Sequence, residues 1–331
     1  MPIRKDFSAS VLDIDATRET ENIVVGIRDT LRNVLKRRGI VVGISGGIDS
    51  SVTAALAVRA LGKDRVFGLE MPELHSAKET VELSSTVINH LGIKSTRIDI
   101  SPILQAIGAY RNYDDSVRSV IPGYGEGWKS KMVISSVFDS KGFSHSSIVA
   151  QSPDGMIIKE RLPLKPYLEI VAATNFKQRT RKMLEYYHAD MLNFAVAGTP
   201  NRLEYDQGFF VKLGDGAADI KPIAHLYKTQ VYQLAGFLGI PDEICKRLPT
   251  TDTYSMPQGQ DEFYFSLPYH LMDLCLYAKN HGIAAIDAAS ATGLSPEQVQ
   301  QVYDDIDKKR STTRYLHLKA ITLQDIPEIH G

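Results

Sequence analysis

Ile40-Val41-Val42-Gly43-Ile44-Ser45-Gly46-Gly47-Ile48-Asp49-Ser50-Ser51 is the stretch on which the reading of this 331-residue chain turns. Ile40 to Ile44 is a short apolar run rich in β-branched side chains, which predicts a buried strand. The glycine pair interrupts it, and Ser50 to Leu61 then reads as a helix closed by Gly62. Strand, glycine turn and helix in that order set successive backbone N–H groups at a helix N-terminus, where they can gather around an oxyanion. Gly46 and Gly47 let the backbone approach closely, and the hydroxyls of Ser45, Ser50 and Ser51 supply further donors. A carboxylate among these donors, Asp49, makes sense when a cation accompanies the anion. A strand-to-helix turn with a serine cap would need no such residue. The lysine and the spacing of a G-x-x-x-x-G-K-[ST] loop are absent.

Working outward, the apolar residues Ile23, Val24, Ile27, Leu31, Val34 and Leu35 recur at helical spacing between Asp15 and Arg38, ahead of Gly39. Downstream, Arg65 to Glu70 predicts a second strand, Ser76 to Leu91 a helix stopped by Gly92, and Lys94 to Ile100 a third strand. Asn175 to Leu192 reads as a helix and Asn193 to Ala197 as a further buried strand ending at Gly198. Strands alternating with helices imply right-handed crossovers and an α/β fold, a doubly wound parallel sheet flanked by helices. The stretch 113–167 has another texture, with glycine and serine clusters and a turn at Ser152-Pro153-Asp154-Gly155 between alternating segments. It is expected to be a β-containing insertion in a single domain spanning 1–331, whose end, 261–331, is a helical C-terminal part.

Composition narrows the class. With 43% apolar and 23% charged residues the chain has the makeup of a globular protein. A formal net charge of −1 gives no overall field for nucleic acid or an anionic membrane, and no stretch reaches the roughly 18 apolar residues of a membrane span. Cys245 and Cys275 show neither C-x-x-C spacing nor the density of a disulfide scaffold, and Met1 to Ser10 has no apolar leader core, so a cytoplasmic location is expected.

The Ser45 to Ser51 motif in its strand-to-helix setting resembles the pyrophosphate loop of the ATP pyrophosphatase superfamily, whose members cleave ATP between the α and β phosphates. Later blocks resemble ammonia-dependent NAD synthetases in order and spacing. They are Asn175-Phe176-Lys177-Gln178-Arg179-Thr180-Arg181, Ala197-Gly198-Thr199 followed by Glu204, and the run from Gly208 to Asp219. Leu226-Tyr227-Lys228-Thr229-Gln230 and Pro249-Thr250-Thr251-Asp252 complete the series, and the likeness covers about Thr20 to Tyr277 apart from the insertion. The glycines of the Gly208 to Asp219 run, with Asp215 and Asp219 among them and Lys212 and Lys228 nearby, also read physically as a ligand loop.

The resemblance implies an adenine nucleotide alpha hydrolase-like fold and an amide ligase that turns deamido-NAD, ATP and ammonia into NAD, AMP and pyrophosphate through an adenylated acyl intermediate. It implies that Gly43, Ile44, Ser45, Gly46, Gly47, Ile48, Asp49 and Ser50 hold ATP together with Thr199, Lys228 and Thr250. Asp49 and Glu204 are implied as ligands of Mg²⁺, a hard ion suited to carboxylates. Arg179, Lys212, Asp219 and His317 are implied as contacts of deamido-NAD, and catalysis is expected of Asp49, Glu204, Lys228 and Asp219. Asp49 is expected on an exposed loop. The family's terminal S-x-H-K-R pattern appears here as Thr313-Arg314-Tyr315-Leu316-His317-Leu318-Lys319, with the lysine displaced. A homodimer is implied, as is the use of free ammonia, with an external glutaminase as a compatible source.

Competing readings are a related ligase for a different carboxylate, a tRNA-modifying pyrophosphatase and a non-catalytic dinucleotide sensor. The charge balance and the absence of paired cysteines disfavour the tRNA enzyme, and two metal-type carboxylates are more than a sensor requires. His75, His90, His188 and His225 lack metal-ligand spacing and are expected to be surface or satisfied core residues, and the helical pair within 283–310 is not basic enough to suggest DNA.

Overall fold

In the computed structural model, which describes residues 7–134, 138, 146–247, 253–259, 261–265, 267–324 and 326–327, the apolar run at Ile40 lies inside a parallel sheet. Strand β1 (Ile40–Gly43) pairs with β2 (Val66–Glu70), and β2 pairs with β3 (Lys94–Arg97). Ile40, Val41 and Val42 are fully buried, and removing each such side chain from water contributes about 2 kcal/mol. Both faces are covered, as a parallel sheet requires. Helices α1 (Ala16–Asp29) and α2 (Ile48–Leu61) close one face, joined along the sheet by α3 (Lys78–Leu91). The expected helix through Arg38 instead loosens into π-helical turns at Thr30–Leu35 and ends at Lys36, whose left-handed φ of 51° stops it before Gly39.

Short helices α4 (Ser101–Ala106) and α5 (Ala109–Arg118) follow β3 and meet the other face. The third strand ends at Arg97, short of the expected Ile100, because Ile100 is buried at the start of α4. A separate antiparallel sheet comes next, formed by β4 (Lys129–Ile134), β5 (Ser146–Gln151) and β6 (Ile157–Arg161) in that order. The turn expected at Ser152 to Gly155 joins β5 to β6, with Gly155 at a φ of 91° and its N–H on the Ser152 carbonyl.

Helix α6 (Leu164–Leu192) runs for 29 residues, beginning eleven positions before the expected Asn175. Pro163 caps it and Pro166 lies in its first turn, where a missing N–H costs no helical bond. The expected insertion boundaries, 113 and 167, therefore fall inside α5 and α6. From α6 the chain enters β7 (Ala195–Ala197), which pairs with β1 on its open side and completes the order β3-β2-β1-β7.

Beyond β7 lie α7 (Arg202–Gln207), α8 (Lys228–Phe237) and α9 (Asp242–Cys245). The helical end, α10 (Tyr269–Asn280), α11 (Ala285–Thr292) and α12 (Pro296–Thr313), has its own core built on Met272, Leu276, Val299 and Ile306. It is fastened to α7 by Arg310, which donates to both carboxylate oxygens of Asp206 at 2.6 and 2.8 Å.

The main core supplies a direct test of the layering. Leu56 on α2 is fully buried, so Leu56→Ala is expected to lower the unfolding free energy by about 3 kcal/mol in urea denaturation. Val34 is 70% exposed, and Val34→Ala is expected to stay within about 0.5 kcal/mol of the parent.

Candidate active site

The loop after β1 is shaped by its own side chains. Ser50 Oγ donates to the Gly47 carbonyl at 3.0 Å and Ser51 Oγ to the same oxygen at 2.8 Å, while the Ser45 N–H donates to Ser50 Oγ at 3.3 Å. Gly46 has a φ of 71°, and a Cβ there would meet Leu83 at 2.8 Å and the Thr80 carbonyl at 2.9 Å. The loop is thus pressed against α3 at a point where only glycine has room. Gly47 caps α2, which leaves the first-turn N–H groups of α2 at the floor of a cavity of about 550 Å³. A volume of that order accommodates a nucleotide.

Gly43, Ile44, Ser45, Gly47, Ile48, Asp49 and Ser50 line this cavity, as do Thr199, Glu204 and Lys228 from beyond β7. Gly46 is not among the described residues lining it, since it faces α3. Thr250 lies outside the described residues.

Three helix N-termini meet around Asp49. Its side chain is only 16% exposed and sits in the first turn of α2, so the expectation of an exposed loop residue is corrected. Lys228, the first residue of α8 and almost wholly buried, donates its ammonium to Asp49 Oδ2. Asn201 Nδ2 donates to Asp49 Oδ1 at 3.1 Å. Asn201 also caps α7 in a reciprocal box, accepting from the Glu204 N–H at 3.2 Å while its own N–H donates to Glu204 Oε2 at 3.1 Å. Burial by itself would lower the Lys228 pKa, but the Asp49 and Glu204 carboxylates overcome it and raise the value, so the ammonium stays charged.

The motif around Lys228 is held from a distance. Asp273 on α10 accepts from the Lys228 N–H at 3.2 Å, the Thr229 N–H at 2.6 Å and Thr229 Oγ1 at 2.7 Å, closing the N-terminus of α8. Burial raises the Asp273 carboxyl to about 6, with these hydrogen bonds only partly offsetting it.

A second group of charges lines the cavity from α6. Lys182 Nζ donates to Glu185 Oε2 at 2.5 Å, and both are buried. Glu185 Oε1 stands 2.9 Å from where a Cβ on Gly43 would sit, so the first loop glycine leaves space for a carboxylate. Burial pushes the Glu185 pKa up against the pull of Lys182, and likewise that of Asp215, which accepts from the Val211 N–H at 2.7 Å. Nearby, Lys177 Nζ bridges Glu73 Oε1 and the Thr253 carbonyl, each at 2.8 Å. Of these groups, the sequence reading had placed Asp215 and Lys177 within motifs, whereas it passed over Lys182, Glu185, Asn201 and Asp273. An N-cap signal three residues before Glu204 was available for Asn201.

Arg179, Lys212, Asp219 and His317 are not among the described residues lining the cavity. Arg179 Nε donates to the Lys212 carbonyl at 3.3 Å, and Lys212 Nζ to that of Tyr315 at 2.7 Å. Asp219 Oδ2 accepts from the Val196 N–H at 2.8 Å and Oδ1 from Tyr186 at 3.3 Å, which ties it to β7. His317 sets its ring edge-on to Tyr205 and Phe210, with centroids 4.9 and 5.1 Å away. Of the histidines set aside earlier, His225 bonds to Glu19 Oε1 at 2.7 Å, but His188 is buried with no hydrogen-bond partner for Nδ1 among the described residues, so it is a packed rather than a satisfied core residue.

Comparison with known proteins adds a family match. A family model described as NAD synthase matches residues 19–123 and 147–314. The chain is 55% identical over 318 residues to the NH(3)-dependent NAD(+) synthetase of Mesorhizobium japonicum, covering 96% of this chain and 100% of that protein. It is 56% identical to the protein of the same name from Rhizobium meliloti, over 99% and 100% of the two chains. Among solved structures, the NMN synthetase of Francisella tularensis superposes with a TM-score of 0.64 at 22% identity, covering 94% of this chain and 99% of that one. The NH3-dependent NAD synthetase of Campylobacter jejuni does so at 0.61 and 23%, covering 94% and 100%, and these two likenesses speak to the fold.

The Asp273 cap generates a pH test. Between about 4 and about 6 the folded carboxyl holds a proton that the unfolded chain, with an ordinary value of 3.8, releases. The folded state therefore binds more protons there, and this group's contribution to stability falls as pH rises through that window. Asp273→Asn is expected to flatten that part of the urea-midpoint profile; an unaltered slope would count against the burial argument.

Proposed function

The chain belongs to the NAD synthase family, and from that premise and the site geometry we propose that it amidates deamido-NAD to NAD with ATP and ammonia, releasing AMP and pyrophosphate. The observation that carries this reading is the meeting of Asp49, Lys228 and Glu204 beside the glycine loop, inside a cavity large enough for a nucleotide.

In the first step a carboxylate oxygen of the nicotinate attacks the α-phosphorus of ATP, and the bond to the β-phosphate breaks with its electron pair leaving on pyrophosphate. The loop's N–H groups and the α2 N-terminus bind phosphate oxygens, and Lys228 supplies positive charge where the departing pyrophosphate gains negative charge. Asp49 holds that ammonium in place and Asn201 holds Asp49. In the second step ammonia attacks the acyl carbon, the acyl–oxygen bond to AMP breaks, and a proton is lost as the amide forms. Positioning accounts for much of the rate, because no protein nucleophile takes part.

Asp49 and Glu204 suit magnesium. Both carboxylates lie within electrostatic reach of one ammonium, and each oxygen with one partner here retains a lone pair. No group of three or more His, Cys, Asp or Glu side chains placed to hold a metal occurs among the described residues, which accords with an ion that takes one or two carboxylates and completes its shell with phosphate and water. When bound, the ion would neutralise phosphate charge. The assignments of Thr199 and Thr250 to ATP, and of Arg179, Lys212, Asp219 and His317 to the dinucleotide, rest on the motif resemblance. Asp219, bonded to β7, supports catalysis through the placement of that strand.

Along α6, Met183, Tyr187 and Met191 are 56%, 61% and 60% exposed at four-residue spacing, an apolar stripe that we assign to contact with a second copy in a homodimer. No helix among the described residues is long and apolar enough to cross a membrane, and a cytoplasmic location is part of the same proposal.

Free ammonia is the proposed nitrogen source, with an external glutaminase a compatible supplier. Burial raises both thiols, that of Cys275 to about 12, so neither is the reactive thiolate that glutamine hydrolysis needs. Purified protein given deamido-NAD, ATP, Mg²⁺ and ammonium is expected to form NAD and AMP in equal amounts, and glutamine in place of ammonium is expected to give no NAD. Glutamine-supported synthesis that vanishes in Cys245→Ser or Cys275→Ser would overturn the ammonia assignment.

A further inference from the structure

The family model passes over residues 124–146, yet this stretch contributes a wall of the reaction cavity. Met132 and Ile134 of β4 line it, with Ser146 at the start of β5. The edge of β4 that β5 leaves open is covered by the 253–259 segment. The Met256 N–H donates to the Ser130 carbonyl at 3.2 Å, the Ser130 N–H to Ser255 Oγ at 2.9 Å, and Gln258 Nε2 to the Met132 carbonyl at 2.5 Å. Ser130 and Gln258 are buried, so these bonds are made away from solvent. The same segment brings Thr253 and Tyr254 to the cavity, and Lys177 on α6 grips the Thr253 carbonyl from inside. Behind it, Ile148 and Ala150 of β5 pack on Val117 of α5 and on Ile170 and Ala173 of α6. The wall is therefore braced on both the added sheet and α6.

An acyl-adenylate reacts with water as well as with ammonia, and water is in vast excess. Enclosure by apolar groups is a means of suppressing such a side reaction. We propose that β4 and the segment clamped to its edge form a water-excluding wall, with Met132 and Ile134 keeping water from the acyl-adenylate so that ammonia takes the acyl group. This rests on the adenylation chemistry proposed above. In the suppressed reaction the water oxygen bonds to the acyl carbon, the acyl–oxygen bond to AMP breaks with its electron pair leaving on AMP, the acceptor carboxylate is regenerated, and both water protons pass to solvent. ATP is then consumed without NAD.

The readout is the ratio of AMP to NAD formed in one reaction vessel, which does not depend on how much enzyme is folded. The parent protein is expected to give a ratio near one. Met132→Ser and Gln258→Ala are expected to raise it at least twofold at limiting ammonium and to return toward one as ammonium increases, because ammonia and water compete for one intermediate. Met132→Leu, which keeps the apolar surface, is expected to stay near one. Where Met132→Ser yields too little folded protein, Ile134→Thr reads the same wall with a smaller loss of volume. A ratio of one in every wall variant at every ammonium concentration would overturn the proposal, as would an equal excess of AMP in Met132→Leu. A parent protein that forms no NAD at all would overturn the amidation reading itself, an outcome distinct from unaltered ratios in active variants.

Discussion

A lysine ammonium withdrawn from water must be matched by carboxylates, because the desolvation of one uncompensated ion costs several kcal/mol. Lys228 is such a group, and much of the site's geometry follows from satisfying it. Its ammonium fixes Asp49 at the start of α2, while Asn201 joins Asp49 to the cap of α7 and so to Glu204. Asp273 fixes the backbone of Lys228 from α10. Helices whose sequence positions are far apart are thus brought together around one cavity, where the N-terminus of α2, with no side-chain cap, favours a polyphosphate. The pair contributes more through this arrangement than through net stability, since buried ion pairs often do little better than apolar replacements.

The parallel sheet was legible from sequence because its signals are local. A β-branched run followed by glycines and a helical pattern marks β1 at Ile40, and a shorter apolar run ahead of a helical pattern marks β2 after Arg65. The loop glycines were legible for the same reason, although the structure gives Gly46 a packing role against α3 rather than a place on the cavity wall. The start of α6 was not, since Pro163 and Pro166 resemble loop punctuation until a helix is seen to begin between them.

Site residues divide along similar lines. Asp49, Glu204 and Lys228 stood out through their motifs, but their mutual contact joins positions 49 and 228, and nothing in local pattern reports that. Lys182 and Glu185, a charged pair three residues apart on a helix, carry no motif of their own in the sequence; they matter because α6 turns that face toward the cavity and away from water. Asp273 sat inside the apolar run of α10, where a carboxylate reads as an interruption, although it caps a helix 45 residues earlier in the chain. Arg179, Lys212, Asp219 and His317 make their contacts instead with the Lys212 carbonyl, the Tyr315 carbonyl, β7 and the Tyr205 and Phe210 rings, and are not among the described residues lining the cavity.

The account's central claim is that Asp49 orients Lys228, whose ammonium offsets the negative charge growing on the departing pyrophosphate, and Asp49→Asn tests it most directly. The substitution keeps the shape and an oxygen for Lys228 while removing the charge, so its circular dichroism is expected to match the parent's. Pyrophosphate release from ATP in the presence of deamido-NAD and Mg²⁺ is expected to fall by about 10²- to 10³-fold, the effect of deleting one preorganised electrostatic group. A folded Asp49→Asn variant that releases pyrophosphate within about twofold of the parent rate would contradict the account.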